Sequence, residues 1–282
     1  MTSKNISFKD LAARQEADIK SKKKGNTIYV KISLPFTYIL IKLGATPNKL
    51  TLFTYLLGVL GYIFLSLGTY IYFAVGIALF FLFYTLDSSD GDIARILNQK
   101  SFEGIFFDEM SHYVWSICFG TGIGVGLSKI YSNGLYLYLG LAITLIITLE
   151  HSITYAMRSS IKTGMMEMGM PLKNYRPVMG RLLWNTQKKI VWSKTSIIHK
   201  LFGIYPFNGL FYSAYFSCPI LIILTLTEYI FRNKMDYPIS VVGFIVPYLL
   251  VLFIAKLIWI LAFYYNMERH RYITDALYNF KK

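Results

Sequence analysis

The chain has 282 residues, of which 55% are hydrophobic, 17% aromatic and only 16% charged. Few water-soluble domains reach this composition, so the sequence predicts a membrane protein and excludes an ordinary soluble domain. The formal net charge of +14 would suggest a nucleic-acid partner in a soluble protein, but in a membrane protein anionic lipid headgroups are the expected partner and no nucleic acid is predicted.

The first 27 residues form a basic N-terminal arm that lacks the apolar core of a signal peptide. We expect this arm to be solvated, with some helix around Phe8 to Ile19. The following residues, 28–45, are apolar but are interrupted by polar residues and a proline. They predict an amphipathic helix that starts near Pro35 and lies in the membrane interface.

Six apolar segments are long enough to cross a hydrocarbon core of about 30 Å, which takes roughly 20 helical residues. They run from Leu50 to Leu67, Tyr70 to Leu86, Ile105 to Leu127, Leu135 to Tyr155, Leu210 to Ile230 and Val241 to Tyr265. The predicted fold is therefore an all-α integral membrane protein, in which residues 28–282 form one domain of six transmembrane helices preceded by the interfacial helix. A TPN sequence at residues 46–48 is expected to start the first span, with the threonine or the asparagine as its cap.

The distribution of basic residues predicts the topology. If both termini are cytoplasmic, nearly all basic residues lie inside, including those of a long polar loop at residues 158–204. Only Lys129, Arg232 and Lys234 then lie outside, which agrees with the positive-inside rule. Richness in lysine, isoleucine and asparagine, together with short loops, favours a bacterial inner membrane, with a eukaryotic organelle membrane as the alternative.

The stretch LDSSDGDIARILNQKSFEGIFFDEMSHYVW, residues 86–115, places charged residues between two apolar runs. If the second span continues as a helix and the third starts near Phe102, two polar stripes form, each on one helix face. The stripes are Asp87, Asp90, Gly91 and Ala94 on one helix, and Gly104, Asp108 and His112 on the other. Helices joined by a short connection pack antiparallel, so we expect the stripes to meet.

Carboxylates this close together cannot all stay ionised without positive charge between them. Divalent cations such as Mg²⁺, Mn²⁺ or Ca²⁺ supply that charge, and a site that holds them near the headgroups can receive a diphosphate. Gly91 and Gly104 would allow a ligand to approach both backbones. The alternative is that Asp87, Asp90 and Asp92 are merely solvated residues at a helix end.

This stretch resembles the signature of the CDP-alcohol phosphatidyltransferase family, D-x2-D-G-x2-A-R-x8-G-x3-D-x3-D. Seven of the eight fixed positions are matched, by Asp87, Asp90, Gly91, Ala94, Arg95, Gly104 and Asp108. At the eighth position the family has an aspartate that is regarded as the base, and this chain has His112.

The resemblance implies an enzyme that transfers a phosphatidyl or other phosphoalcohol group from a CDP-linked donor, such as CDP-diacylglycerol, to an acceptor alcohol and releases CMP. It implies a homodimer, and two Mg²⁺ or Mn²⁺ ions against the donor's diphosphate. The predicted metal ligands are Asp87, Asp90, Asp108 and His112. The predicted nucleotide-site residues are Gly91, Ala94 and Gly104, with Arg95 neutralising phosphate.

Three interpretations of His112 remain open. It is a catalytic base beside Asp108, a nitrogen ligand that shifts the metal preference toward Mn²⁺ or Zn²⁺, or a packed residue in a site that has lost its chemistry. The last interpretation predicts a catalytically silent scaffold that binds CDP-lipid. A transporter is a further alternative, suggested by Glu150, His151 and Lys256, but the sequence lacks internal repeats.

Overall fold

A computed structural model describes residues 6–13, 27–99, 101–170 and 214–234, together with positions 242, 243, 254, 258 and 261. This part of the chain is helical and contains no strand, which confirms the all-α prediction. Six long helices have defined bounds within it: α1 Thr27–Lys42, α2 Pro47–Ser66, α3 Tyr70–Ile96, α4 Phe102–Ile130, α5 Leu135–Glu167 and α6 Ala214–Lys234.

Three of the described helices, α2, α3 and α5, are long and apolar enough to cross a membrane. Helix α4 covers the predicted third span and adds charged residues at both ends. Helix α6 covers most of the predicted fifth span. The predicted sixth span, Val241 to Tyr265, lies almost entirely outside the described residues, so the full set of six spans stays a prediction.

The predicted interfacial helix is longer than expected. Helix α1 begins at Thr27 rather than near Pro35, and Pro35 lies inside it. A proline removes one backbone donor and crowds the preceding turn, but α1 packs against α3 along one face. Ser33, Thr37 and Ile41 follow each other at intervals of four residues and are all buried, and we infer that this packing offsets the cost of the proline.

Part of the N-terminal arm is helical, as predicted, but it is packed against the helices rather than fully solvated. Residues 8–13 are helical and begin with a capping box, in which the Asp10 amide donates to Ser7 Oγ at 3.2 Å and the Ser7 amide donates to Asp10 Oδ2 at 3.4 Å. Leu11 is fully buried. It packs in a cluster with Ile41, Leu50, Leu57, Phe83, Leu86 and Ile93. Ile6 packs against the same cluster and the Phe8 ring contacts the Tyr38 ring edge-on at 5.4 Å, so the apolar side chains of this segment dock it.

Helix α3 is the centre of the first of two compact units, which comprises residues 1–144 and 213–246. It contacts α1, α2, α4 and α6, and its side chains Phe73, Ile77 and Phe80 are almost completely buried. Because four helices surround it, residues on its C-terminal half are held in defined positions.

Glycines allow the helices of this unit to approach closely. A Cβ atom added to Gly61 of α2 would lie 2.8 Å from the ring of Phe80, and one added to Gly124 of α4 would lie 2.9 Å from the Cα of Gly140 on α5. A larger residue at Gly124 would push the backbone of α4 away from that of α5. The two helices can cross this closely because glycine has no side chain.

The second unit comprises residues 145–212 and 247–282, and most of its described residues belong to α5. This helix runs to Glu167, past the predicted end at Tyr155, so the first part of the segment 158–204 is helical. The continuation is amphipathic, because Ile161 and Met165 are buried whereas Lys162 is exposed. The remainder of the predicted loop, from residue 171, lies outside the described residues.

Candidate metal centre

A tight turn joins α3 to α4 and brings their polar stripes together. Asn98 adopts a left-handed conformation with φ of 55°, and the Gln99 amide donates to the Ala94 carbonyl at 2.9 Å, as in a Schellman cap. Ser101 then caps α4, because its Oγ accepts from the Gly104 amide at 2.9 Å. Both expectations behind the site, that α3 continues past Leu86 and that α4 starts near Phe102, are confirmed.

Three of the predicted metal ligands lie together where α3 and α4 meet. Asp87, Asp108 and His112 each offer one ligand atom, and these atoms all lie within 4.8 Å of one another. Asp87 comes from α3, whereas Asp108 and His112 lie one turn apart on α4. Asp87 and His112 are half-buried and Asp108 is partly exposed, so the group is held by the protein and still accessible from one side.

Ser111 orients the carboxylate of Asp87. Its Oγ lies 2.8 Å from Asp87 Oδ1 and 2.7 Å from the Asp108 carbonyl oxygen. A hydroxyl carries one proton and donates to one of these acceptors at a time. Ser111 is fully buried, so its side chain is fixed and Asp87 is held toward α4. Sequence reasoning missed Ser111, although it immediately precedes His112.

Asp90 is held from the opposite side, by α2. It is only 4% exposed, and the Thr51 hydroxyl donates to its Oδ2 at 2.7 Å. The Thr51 Oγ also lies 3.0 Å from the Pro47 carbonyl. Asp90 lies three residues after Asp87 and shares its helix face, as predicted. Its carboxylate, however, is not one of the three clustered ligand atoms found among the described residues.

Tyr55 is a second α2 residue that faces the acidic side chains. Its phenol lies within electrostatic range of Asp87, Asp90 and Asp108, and its hydroxyl donates to the Phe107 carbonyl at 2.6 Å. This bond ties the turn just before Asp108 to α2. Thr51 and Tyr55 were missed because they belong to an apolar span, where their spacing of four residues is a weak signal.

Gly91 and Arg95 lie side by side at the end of α3. The three atoms nearest to a Cβ atom added to Gly91 all belong to the Arg95 guanidinium, at 3.4 Å or more, and a long side chain can shift to accommodate it. Arg95 Nη2 donates to Asp92 Oδ1, so in this structure the guanidinium is turned along its own helix. Ala94 precedes Arg95 and is half-buried. Its carbonyl accepts the bond from the Gln99 amide that ends α3.

Gly104, which was expected to leave room for a ligand, lies against the start of α2. A Cβ atom added there would lie 3.0 Å from Asn48 Oδ1 and 3.1 Å from Ser101 Oγ. The missing side chain therefore makes room for the start of α2 and for the cap of α4. This contact could not be predicted from the α3 and α4 stripes alone, because it involves a third helix.

Asp87, Asp90 and Asp108 have no lysine or arginine partner within the described part of the chain. The ion pairs recorded there join Arg95 to Asp92 and Arg232 to Glu228, and no lysine or arginine pairs with Asp87, Asp90 or Asp108. Carboxylates gathered among apolar helices are unfavourable unless a cation compensates them. Carboxylate oxygens and an imidazole nitrogen are ligands that divalent cations accept, so these residues fit a bound metal ion.

Comparison with known families gives one match. Residues 44–187 match the family profile described as CDP-alcohol phosphatidyltransferase. The match covers just over half of the chain and includes α2, α3 and α4, which carry every residue of the candidate centre. No curated protein matches the chain.

Proposed function

Because the chain belongs to the CDP-alcohol phosphatidyltransferase family, we propose that it transfers a phosphatidyl or related phosphoalcohol group from a CDP-linked lipid to an acceptor alcohol. CDP-diacylglycerol is the donor that we expect, CMP is the second product, and phospholipid or lipid-linked biosynthesis is the expected pathway. The apolar helices and the family together indicate a membrane protein. A homodimer in a bacterial inner membrane, with the site on the cytoplasmic side, completes the proposal.

One observation carries this proposal: ligand atoms of Asp87, Asp108 and His112 lie within 4.8 Å of one another, and no lysine or arginine of the described chain pairs with the aspartates. The proposed ligands are these three residues and Asp90, for two Mg²⁺ or Mn²⁺ ions. A divalent ion bound here supplies positive charge that attracts a diphosphate and stabilises the charge that develops during phosphoryl transfer.

The protein orients the ligands before substrate binds. Ser111 holds Asp87 and Thr51 holds Asp90, and both hydroxyl-bearing residues are buried. Groups that are already oriented need little reorganisation during the reaction, which is the main requirement for electrostatic catalysis.

The nucleotide is proposed to lie beside Gly91 and Ala94, where a missing or small side chain leaves α3 accessible. Arg95 contributes by exchanging its Asp92 partner for a phosphate oxygen, which its planar fork of donors suits. Gly104 acts indirectly, because it lets Asn48 approach α4.

In the proposed reaction, the acceptor hydroxyl oxygen attacks the phosphorus next to the lipid. A new P–O bond forms, the bond to the CMP oxygen breaks and CMP leaves. The hydroxyl proton passes to a base of the cluster, and Asp108 and His112 are the proposed catalytic residues. His112 serves as the base only if the same nitrogen does not bind the ion.

The second candidate function is a catalytically silent scaffold that binds CDP-lipid. Only His112, in place of the family aspartate, favours it. The convergence of His112 with two carboxylates supports the enzyme instead, because the three side chains together offer enough donor atoms to hold an ion.

The test is CMP release by the purified full-length protein in lipid, given CDP-diacylglycerol, a pool of small alcohols and either Mg²⁺ or Mn²⁺. We expect CMP to form only with a divalent ion and with one alcohol, which identifies the acceptor. Binding of CDP-lipid without CMP release under any of these conditions would support the scaffold and refute the transferase.

A further inference from the structure

The candidate centre contains two kinds of donor atom. Asp87 and Asp108 contribute carboxylate oxygens, and His112 contributes an imidazole nitrogen, all within 4.8 Å of one another. Two ligands at about 2.1 Å from one ion are at most about 4.2 Å apart. Small rotations of these side chains therefore bring all three donors to a single ion.

We propose that His112 binds the metal ion through nitrogen, so that the centre prefers Mn²⁺ and other transition metals over Mg²⁺. This assignment rests on the proposed function, since it concerns the ion of the same site. It goes further because it names the ligand that determines which metal is used.

The placement of His112 supports direct coordination. Asp108 and His112 are four residues apart on α4 and therefore project from the same face, a spacing that helices use in known metal sites. Asp87 approaches that face from α3 and is fixed there by Ser111 at 2.8 Å. The imidazole thus lies next to carboxylates whose positions the fold already determines.

The chemistry of the donors sets the expected preference. Mg²⁺ takes oxygen ligands in a nearly ideal octahedron and keeps much of its water. An imidazole suits transition metals, whose affinity for a nitrogen-containing site exceeds that of Mg²⁺. A neutral imidazole also gives the site one negative charge less than a carboxylate would, which weakens the attraction for a hard ion such as Mg²⁺.

Coordination and base catalysis by the same nitrogen exclude each other, because a nitrogen whose lone pair binds an ion cannot accept the acceptor's proton. A nitrogen that binds Mn²⁺ directly gives a spectroscopic signal that does not depend on turnover, so the assignment of His112 as a ligand can be tested without the reaction.

The experiment is pulsed electron paramagnetic resonance of Mn²⁺ bound to the full-length protein in lipid nanodiscs. The wild type should show nuclear modulation from a directly bound ¹⁴N. The variant His112→Asp should still bind Mn²⁺ but lose this modulation, and its preference for Mn²⁺ over Mg²⁺, measured as the ratio of dissociation constants, should fall by about tenfold or more. His151→Gln, on α5, is the matched control and should keep the signal.

A wild-type protein that binds no Mn²⁺, or binds it without ¹⁴N modulation, would overturn the proposal, as would a modulation that persists in His112→Asp. If His112→Asp does not fold, His112→Gln offers a neutral oxygen donor with the same expected loss. CMP release is measured on the same samples. A nitrogen signal without CMP would contradict the transferase alone, and metal-dependent CMP without the nitrogen signal would contradict the His112 assignment alone.

Discussion

Three hydroxyl groups help to position the acidic residues of the candidate centre, two through a carboxylate and one through the backbone. Thr51 and Ser111 bond directly to Asp90 and Asp87, and Tyr55 bonds to the backbone just before Asp108. Side chains of this kind, which touch a ligand rather than the metal, commonly change metal affinity by about 10- to 100-fold. The identity of the acidic residues is therefore only half of what defines this site.

Ser111→Ala tests this role. The change leaves Asp87 without its hydrogen bond, so we expect Mn²⁺ affinity to fall by about 10- to 100-fold with the fold retained. Titration calorimetry measures the affinity. Ser116→Ala is the matched control, because Ser116 is also a buried serine of α4, and its hydroxyl bonds the His112 carbonyl at 2.9 Å. Equal affinity in Ser111→Ala and wild type would show that Asp87 needs no such support.

The acidic residues and His112 could be predicted from the sequence because their spacing of three and four residues places them on helix faces. Their supporting hydroxyls could not. Thr51 and Tyr55 come from another helix, whose sequence pattern is simply apolar. The sequence also does not indicate that Ser111, next to His112, contacts Asp87, because that contact depends on how α3 packs on α4. For the same reason, the sequence did not predict that Gly104 faces Asn48.

At the scale of whole helices, a buried carboxylate links the far ends of three elements. Glu228 of α6 is fully buried and accepts from the Tyr70 hydroxyl at 3.0 Å, the Tyr131 hydroxyl at 2.5 Å and the Val242 amide at 2.9 Å. Tyr70 starts α3 and Tyr131 follows α4. Arg232 lies 3.6 Å from the Glu228 carboxylate and balances its charge.

Glu228→Ala leaves these donors unpaired, and losing one member of a buried network costs about 3–5 kcal/mol. We expect a markedly lower unfolding temperature, measured in the same lipid for both proteins. Tyr70 lies about 25 Å along α3 from Asp87, at 1.5 Å per residue, so Mn²⁺ affinity of the folded variant should be unchanged. Thr227→Ala, at an exposed neighbouring position, serves as the control. An unchanged unfolding temperature in Glu228→Ala would contradict the linking role.

The N-terminal segment supports the site helices from the other end. Leu11 packs in one cluster with Leu50, which precedes Thr51, and with Leu86, which precedes Asp87. Leu11→Ala should destabilise the protein by about 2–5 kcal/mol, as expected when a buried leucine is truncated. Lys9→Ala removes an exposed side chain of the same segment and should be neutral. Thermal unfolding distinguishes the two, and equal transitions would mean that the segment is not docked.

The bounds of the helices show what periodicity can and cannot predict. The starts of α3 and α5 were predicted to the residue, because an apolar run begins there after polar or glycine-containing turns. The predicted beginning of α1 was wrong, and α5 continues beyond the predicted span. Hydropathy marks where a segment becomes apolar, whereas a helix continues as long as one face is buried, as Ile161 and Met165 show on α5.

At the scale of the whole molecule, composition predicted a helical membrane protein, and the three apolar helices agree with it. Orientation across the bilayer depends on the distribution of lysine and arginine and stays a prediction. Composition depends only on the sequence, so it predicts the class of protein without knowledge of how the helices pack. The meeting of Asp87 with His112 depends on how α3 turns into α4, and the spacing predicted it because the connection is short.

The most direct test of the account is metal-dependent CMP release by Asp108→Asn beside Glu109→Gln. Both changes replace a carboxylate by an amide at neighbouring positions of α4, but only Asp108 belongs to the group of three ligand atoms. If the metal centre is the site of catalysis, Asp108→Asn loses CMP release by at least about a hundredfold, a loss of roughly 2.7 kcal/mol of transition-state stabilisation, while Glu109→Gln retains it. Undiminished CMP release by a folded Asp108→Asn protein would contradict the metal centre as the site of catalysis.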